Sequence, residues 1–136
     1  MIILLDTNVL SEAARRVPDA SVMTWLDRVD PDGVRISVLT LGELAKGVAI
    51  LTRRDPRAAE PLRAWVDQTR LDYADRLIDI DASVAEAWGI LSAVRPLPVI
   101  DGLIAATARV HNLTLATRNV RDFADTGITL VNPWAG

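Results

Sequence analysis

Ile2-Ile3-Leu4-Leu5-Asp6-Thr7-Asn8 decides how this chain is read. Its four leading residues are apolar, which suits a short strand over residues 1–5 buried on both faces. The run stops on a carboxylate, a hydroxyl and a carboxamide. Val9, Leu10, Ala13, Ala14 and Val17 then follow at helical spacing until Pro18. A buried strand that leads straight into a helix is the opening of a βαβ unit, so a parallel sheet is expected. Asp6 stands at the mouth of the core, where a bare carboxylate needs a partner or a cation. An N-cap role, which Asp, Thr and Asn all fill, accounts for the same position.

The arrangement recurs along the chain. Residues 34–38 read as a second strand, followed by a helix over 40–51 with Leu41, Leu44, Val48 and Leu51 on one face. Before that strand, Val22, Trp25, Leu26 and Val29 mark a helix over 20–29, closed by the turn Asp30-Pro31-Asp32-Gly33. Asp55-Pro56 opens a helix to about residue 73. Residues 77–80 form a third strand, and a helix over 82–94 follows with Val84, Ala87, Trp88 and Leu91 on its face. Pro96-Leu97-Pro98 breaks the chain before a helix over 99–110, with Asn112 at its C-terminal end. A fourth strand over 113–116, a short helix over 120–124 and a fifth strand over 128–131 complete the alternation. Such sheets are covered on both faces and carry their sites beyond the strand C-termini.

Four acidic clusters fall on that edge. Besides Asp6 they are Glu43, Asp101 and the Asn119/Asp122 pair. Each has an ordinary structural explanation. Thr40-Leu41-Gly42-Glu43 has the form of a capping box. Asp101 lies in a first helical turn, where the helix dipole favours a carboxylate, and the adjacent Gly102 leaves space or permits close packing. Asn119 and Asp122 fit the cap and third position of the short helix, and Phe123 fits the core. Together, acids distant in sequence but gathered at one sheet edge point to a divalent-metal site. Oxygen-only donors favour Mg²⁺ or Mn²⁺, which suit phosphoryl chemistry.

Composition narrows the alternatives. The chain has 136 residues and 14.8 kDa, which fits one domain over 1–136. It has no cysteine and one histidine, His111, so zinc–thiolate sites, disulfides and multi-histidine metal sites are excluded. The absence of cysteine suits a cytoplasmic setting. No basic segment precedes the short apolar start, so no signal peptide is expected, and no run reaches the roughly 18 apolar residues of a membrane helix. The net charge of −3 gives no bulk footprint for nucleic acid, yet fourteen of the fifteen basic residues are arginines, Lys46 being the exception. Arginine suits bidentate phosphate recognition, and Arg118 and Arg121 flank the fourth cluster as RNA-contact candidates. Of the four tryptophans, Trp25, Trp65 and Trp88 lie on apolar stripes, whereas Trp134 near the terminus is a candidate for stacking on bases. The Ala/Leu-rich stretch 45–62, with Arg53, Arg54 and Arg57, is a candidate groove for a partner helix.

Leu4-Leu5-Asp6-Thr7-Asn8, Ser37-Val38-Leu39-Thr40-Leu41-Gly42-Glu43-Leu44, Ile100-Asp101-Gly102-Leu103-Ile104-Ala105 and Ala116-Thr117-Arg118-Asn119-Val120-Arg121-Asp122-Phe123 together resemble the PIN-domain ribonucleases. Within that family they are similar to the VapC/FitB-like toxins of bacterial toxin–antitoxin pairs. The resemblance spans essentially the whole chain. It implies a three-layer α/β/α sandwich around a mostly parallel five-stranded sheet, usually a homodimer, with larger toxin–antitoxin assemblies. It also implies an Mg²⁺- or Mn²⁺-dependent endoribonuclease restrained by a cognate antitoxin protein. Asp6, Glu43 and Asp101 match the family's principal acids, with Asp6 and Asp101 expected on the metal. Many relatives carry aspartate where this chain has Asn119, so the fourth catalytic position is shared between Asn119 and Asp122. Thr7, Asn8 and Thr117 match supporting polar groups. Two other readings stand beside this one. A degenerate PIN domain would bind RNA or protein without cutting. Phosphatases that begin with a strand-end aspartate want a second one two residues later, where this chain has Asn8.

Overall fold

The computed structural model describes residues 1–135. Strand β1 (Ile3–Leu5) leads into helix α1 (Thr7–Glu12), and α2 (Ala20–Arg28) returns the chain to β2 (Val34–Ser37). Helices α3 (Val38–Arg54) and α4 (Pro56–Asp72) precede β3 (Leu77–Ile78), and α5 (Ala82–Val94) and α6 (Val99–Val110) precede β4 (Thr114–Ala116). Helix α7 (Val120–Phe123), β5 (Leu130–Val131) and a closing 3₁₀ turn (Pro133–Ala135) finish it.

The sheet order is β3-β2-β1-β4-β5 and every pairing is parallel, so the mostly parallel expectation becomes wholly parallel. Leu4 stands opposite Arg35 on one side and Leu115 on the other, which makes β1 the centre. The chain builds outward from β1 to β3, then crosses to β4. The junction of β1 and β4 is therefore the switch point of the sheet, and a crevice is expected beyond their C-terminal ends.

Side-chain alternation along β1 divides the interior. Ile3 and Leu5 join Val9, Val22, Ile36 and Leu44 in a core beneath α1 to α4. Leu4 joins Leu91, Ile104, Leu115 and Phe123 beneath α5 to α7. Three layers follow from that alternation. Leu4, Leu5 and Leu115 are fully buried, and each such side chain contributes about 1.5–3 kcal/mol.

Three local readings change. Helix α1 ends at Glu12, not near Pro18. The buried Glu12 carboxylate accepts the Asp19 N–H at 2.8 Å and so fixes the connecting turn, leaving Val17 79% exposed. Helix α3 begins at Val38 because Ser37, ending β2, caps it through the Leu39 N–H at 3.0 Å. The capping box at Thr40 does not form, and Glu43 moves from the first helical turn to the second. Gly102 has no open space beside it: a Cβ there would meet the Trp88 indole at 3.0 Å, so this glycine allows α5 and α6 to approach. The C-cap of α6 is His111, and Asn112, read as the cap, is the next residue, at φ +54 in the left-handed conformation that asparagine tolerates.

Candidate functional site

Asp6 emerges from β1 at the switch point with only 5% of its surface exposed. Its Oδ1 accepts the Thr7 N–H at 2.8 Å, and its Oδ2 accepts the Thr117 hydroxyl at 2.8 Å. Asp6 thus occupies the N-cap position of α1 and is also tied to the residue that follows β4. The Thr117 hydroxyl oxygen in turn accepts the Asn119 N–H at 3.1 Å. The cap and site readings of Asp6 are compatible, since each carboxylate oxygen has a second lone pair.

Glu43 reaches the same edge from α3. The Thr7 hydroxyl donates to its Oε1 at 2.5 Å. Thr7 has one hydroxyl proton, so the 2.9 Å contact between Thr7 and Thr40 hydroxyls is donated by Thr40. Thr40 is fully buried. The directed chain Thr40 to Thr7 to Glu43 holds that carboxylate in place. Sequence reading took Thr40 for a cap; its signal was only its place one helical turn before Glu43.

Electrostatics link the acids. Burial raises the pKa of Asp6, the Thr117 and Thr7 hydrogen bonds oppose the rise, and the charges of Asp101 and Glu43 add to it. Asp101, in the first turn of α6, is also raised by burial, then by Glu43 and Asp122. Four carboxylates from four elements therefore repel one another at the switch-point edge. A cation relieves that repulsion.

The donor set is oxygen throughout. Among the described residues, no three acidic side chains sit close enough to enclose an ion by themselves. A hydrated divalent cation that keeps several of its waters needs only one or two carboxylates. The buried Asn8 Oδ1, two residues from Asp6, has no hydrogen-bond partner and supplies an uncommitted oxygen. The residues present fit such an ion.

The remaining candidates divide. Asp122 acts on Asp101 through its charge. Asn119 stands at the cap position of α7, but its side chain makes no cap hydrogen bond. Arg118, Asn119, Val120, Arg121, Asp122 and Asn132 line a cleft of about 360 Å³, and Asp122 among them belongs to the acidic cluster. Trp134 is not free to stack on bases: it packs on the α1–α4 core, and Arg118 lies over its ring at 5.1 Å. His111 ends α6, a helix length away from Asp101. An apolar groove of about 540 Å³ adjoins Glu43, lined also by Leu39, Lys46, Ile50 and Ile100. A second, of about 570 Å³, lies between α3 and α4 along Leu41, Ala45, Ala49 and Val66, with Arg63 and Arg70 on its rim. Arg53, Arg54 and Arg57 are not among its lining residues, so the expected groove exists with different arginines.

The molecule is, by class, a wholly parallel α/β/α domain with acids gathered at its switch-point edge. Comparison of the sequence makes the assignment specific, because the PIN domain family matches residues 3–128. The chain belongs to the PIN domain family. It is 36% identical to Toxin FitB of Neisseria gonorrhoeae, over 97% of this chain and 98% of that one. It is 31% identical to VapC ribonuclease Y4jK of Sinorhizobium fredii, over 97% of each. The crystal structure of FitAcB from Neisseria gonorrhoeae matches it with a TM-score of 0.89 at 34% identity, covering 98% of this chain and 99% of that chain. A toxin–antitoxin complex from Klebsiella pneumoniae matches with a TM-score of 0.71 at 27% identity, covering 96% and 97%.

Proposed function

We propose that this protein is an endoribonuclease dependent on Mg²⁺ or Mn²⁺, and the toxin of a toxin–antitoxin pair. The observation that carries the reading is the convergence of Asp6, Glu43, Asp101 and Asp122, with Asp6 and Asp101 both pushed toward protonation. So much mutual repulsion at a sheet's functional edge costs stability unless a cation occupies it. The ribonuclease and toxin named among the relatives supply the reaction class.

In this mechanism Asp6 and Asp101 would hold the ion, which when bound would supply positive charge against the scissile phosphate. Thr117 and the Thr7 amide fix the rotamer of Asp6. Glu43, aligned by Thr7 and Thr40, works with Asp122 to orient the attacking water through an oxygen not engaged by Thr7. Attack on phosphorus breaks the bond to the 3′-oxygen, leaving a 3′-hydroxyl and a 5′-phosphate. The Asn119 amide oxygen adds a neutral acceptor at the same edge.

Two surfaces suit the partners of such a toxin. The α3–α4 groove, about 570 Å³ with a mostly apolar lining, suits an amphipathic segment of an antitoxin. Ile90, Val94 and Val99, all more than half exposed on α5 and α6, offer a face for a second copy. No single helix among the described residues is long and apolar enough to cross a membrane.

Cleavage of a mixed RNA pool with Mg²⁺ or Mn²⁺ tests the reading directly. Asp6→Asn and Asp101→Asn should abolish cleavage and growth inhibition while RNA binding persists. Undiminished cleavage by both purified variants would falsify the assignment. RNA binding without cleavage by the wild-type chain would select the degenerate-domain reading, which the amide at Asn119 permits and the retention of Asp6, Glu43 and Asp101 argues against.

A further inference from the structure

Two arginines in this chain lie over aromatic rings, and they differ in what their donors do. Arg76 stacks on Tyr73 at 4.5 Å and spends its guanidinium within the fold: its Nε donates to Asp75, and its two terminal nitrogens donate to the backbone carbonyls of Pro31 and Asp72. That is a structural arginine. Arg118 stacks on Trp134 at 5.1 Å. Among the described residues the ion pairs are Arg15–Glu12, Arg76–Asp75 and Arg95–Asp125, so Arg118 has no carboxylate partner. Among the described residues its side chain donates no hydrogen bond either.

The platform beneath Arg118 is anchored. The Trp134 N–H donates to Asn132 Oδ1 at 2.9 Å, an Asx turn that sets the closing 3₁₀ turn. The indole packs on the α1–α4 core, and the turn rests on α2. Arg118 itself lies between Thr117, whose hydroxyl grips Asp6, and Asn119, whose N–H grips Thr117. The Thr117 N–H also donates to the Val131 carbonyl at 3.0 Å, joining the ends of β4 and β5. The platform and the acid thus share one rigid frame.

We infer that Arg118, held over Trp134, forms a phosphate-binding subsite for the RNA strand beside the scissile bond, with Arg121 as its second cation. The inference rests on the ribonuclease reading. A guanidinium carried over an indole, with no ion-pair partner among the described residues, keeps its N–H donors for a ligand, and they match a phosphodiester in bidentate fashion. The cleft it borders, about 360 Å³ and lined by Asn119, Arg121, Asp122 and Asn132, shares Asp122 with the acidic cluster. Asp122 is the one anionic group lining it, and it stands on the side that influences Asp101. Phosphate therefore enters along the two arginines. Trp134 is a positioning residue: it touches Arg118, not the reacting atoms.

The test measures binding of a fluorescein-labelled single-stranded RNA of mixed sequence by anisotropy, with Asp6→Asn in every protein so that nothing is cut. Arg118→Ala should weaken binding roughly tenfold. It should also lower the slope of log K against log salt by about 0.7, the share of one single-strand phosphate. Trp134→Leu keeps an apolar core contact but removes the stacking face, and should reproduce most of that loss. The double variant should be no weaker than Arg118→Ala alone, whereas Trp134→Phe should retain binding. In cleavage-competent protein Arg118→Ala should raise KM with little change in kcat. If Arg118→Ala binds with unchanged affinity and salt slope while wild-type protein cleaves RNA, the subsite is overturned and the ribonuclease reading stands. If wild-type protein neither binds nor cleaves RNA, both fall.

Discussion

Thr117 and Asp6, 111 positions apart in the chain, are joined by a 2.8 Å hydrogen bond between two buried side chains. The bond spans the gap between the ends of β1 and β4, so the switch point of the sheet and the anchor of the acidic site are one structural unit. Geometry at Asp6 is consequently inherited from the pairing of the two central strands.

Thr117→Val tests that unit. The substitution keeps the volume, removes the donor to a buried carboxylate and removes the acceptor of the Asn119 N–H. Unfolding free energy should fall by about 1–3 kcal/mol, and RNA cleavage should fall with it. Thr117→Ser keeps the hydroxyl and should restore most of both. Equal denaturation midpoints for Val and Thr would show that the bond carries nothing.

The raised pKa of Asp6 gives a stability prediction whose sign is fixed. The folded protein holds this proton more tightly than the unfolded chain, whose value is near 3.8. As pH climbs from 3.8 through the raised folded value, the unfolded state loses its proton first and metal-free protein loses stability. Below 3.8 both states are protonated and the penalty is absent. Asp6→Asn removes the charge, keeps one oxygen to accept the Thr7 N–H, and leaves the Thr117 hydroxyl to turn and accept from its amide NH₂. It should therefore raise the melting temperature of metal-free protein at neutral pH by about 2–4 °C, with the gain shrinking toward acid. Mg²⁺ should stabilise wild type and not the variant. A variant that melts lower than wild type in EDTA at neutral pH would count against the repulsive site.

Much of this was legible in the chain. Strand β1 and the acid after it are read correctly because a fully buried strand leaves a continuous apolar run, and Asp6 is the first residue to break it. Asp101 is equally visible, since Pro98 marks where α6 begins. What escaped depends on contacts across the sequence. Ser37 could not be preferred over Thr40 as a cap without the end of β2, so Glu43 was assigned to the wrong helical turn. The stop at Glu12 depends on a hydrogen bond to Asp19, and periodicity through Ala13, Ala14 and Val17 does not register it. Trp134 read as a free aromatic because nothing local announces that β5 returns it to the α1–α4 core beside Arg118.

Gly102→Ala should destabilise the protein although alanine is the better helix former. Propensity alone would favour alanine by about 1 kcal/mol in a helix interior. Its methyl group, however, would meet both Cδ1 and Nε1 of Trp88 at 3.0 Å, and overpacking of this kind costs about 1–3 kcal/mol. The net effect should be a lower melting temperature, altered Trp fluorescence and weaker cleavage through displacement of the adjacent Asp101. Trp88→Leu added to Gly102→Ala should recover stability, because it removes the ring that the methyl group strikes. Failure of that double variant to recover would place the strain elsewhere.

The α3–α4 groove separates restraint of the enzyme from its chemistry. Ala45 and Ala49 line it, on the face of α3 away from the acids except where Gly42 adjoins Glu43. Ala49→Trp fills its apolar floor without touching Asp6, Glu43 or Asp101. RNA cleavage by the purified variant should match wild type within about twofold, since surface substitutions away from special features are nearly neutral. Inhibition by the antitoxin should weaken by roughly tenfold or more, because a bulky residue denies the buried anchor on which helix-in-groove affinity depends. The measurement is titration of cleavage with the cognate antitoxin, purified separately. Undiminished inhibition of Ala49→Trp would move the restraining contact to another face, with the Glu43-side groove along Lys46 and Ile50 the next surface to fill.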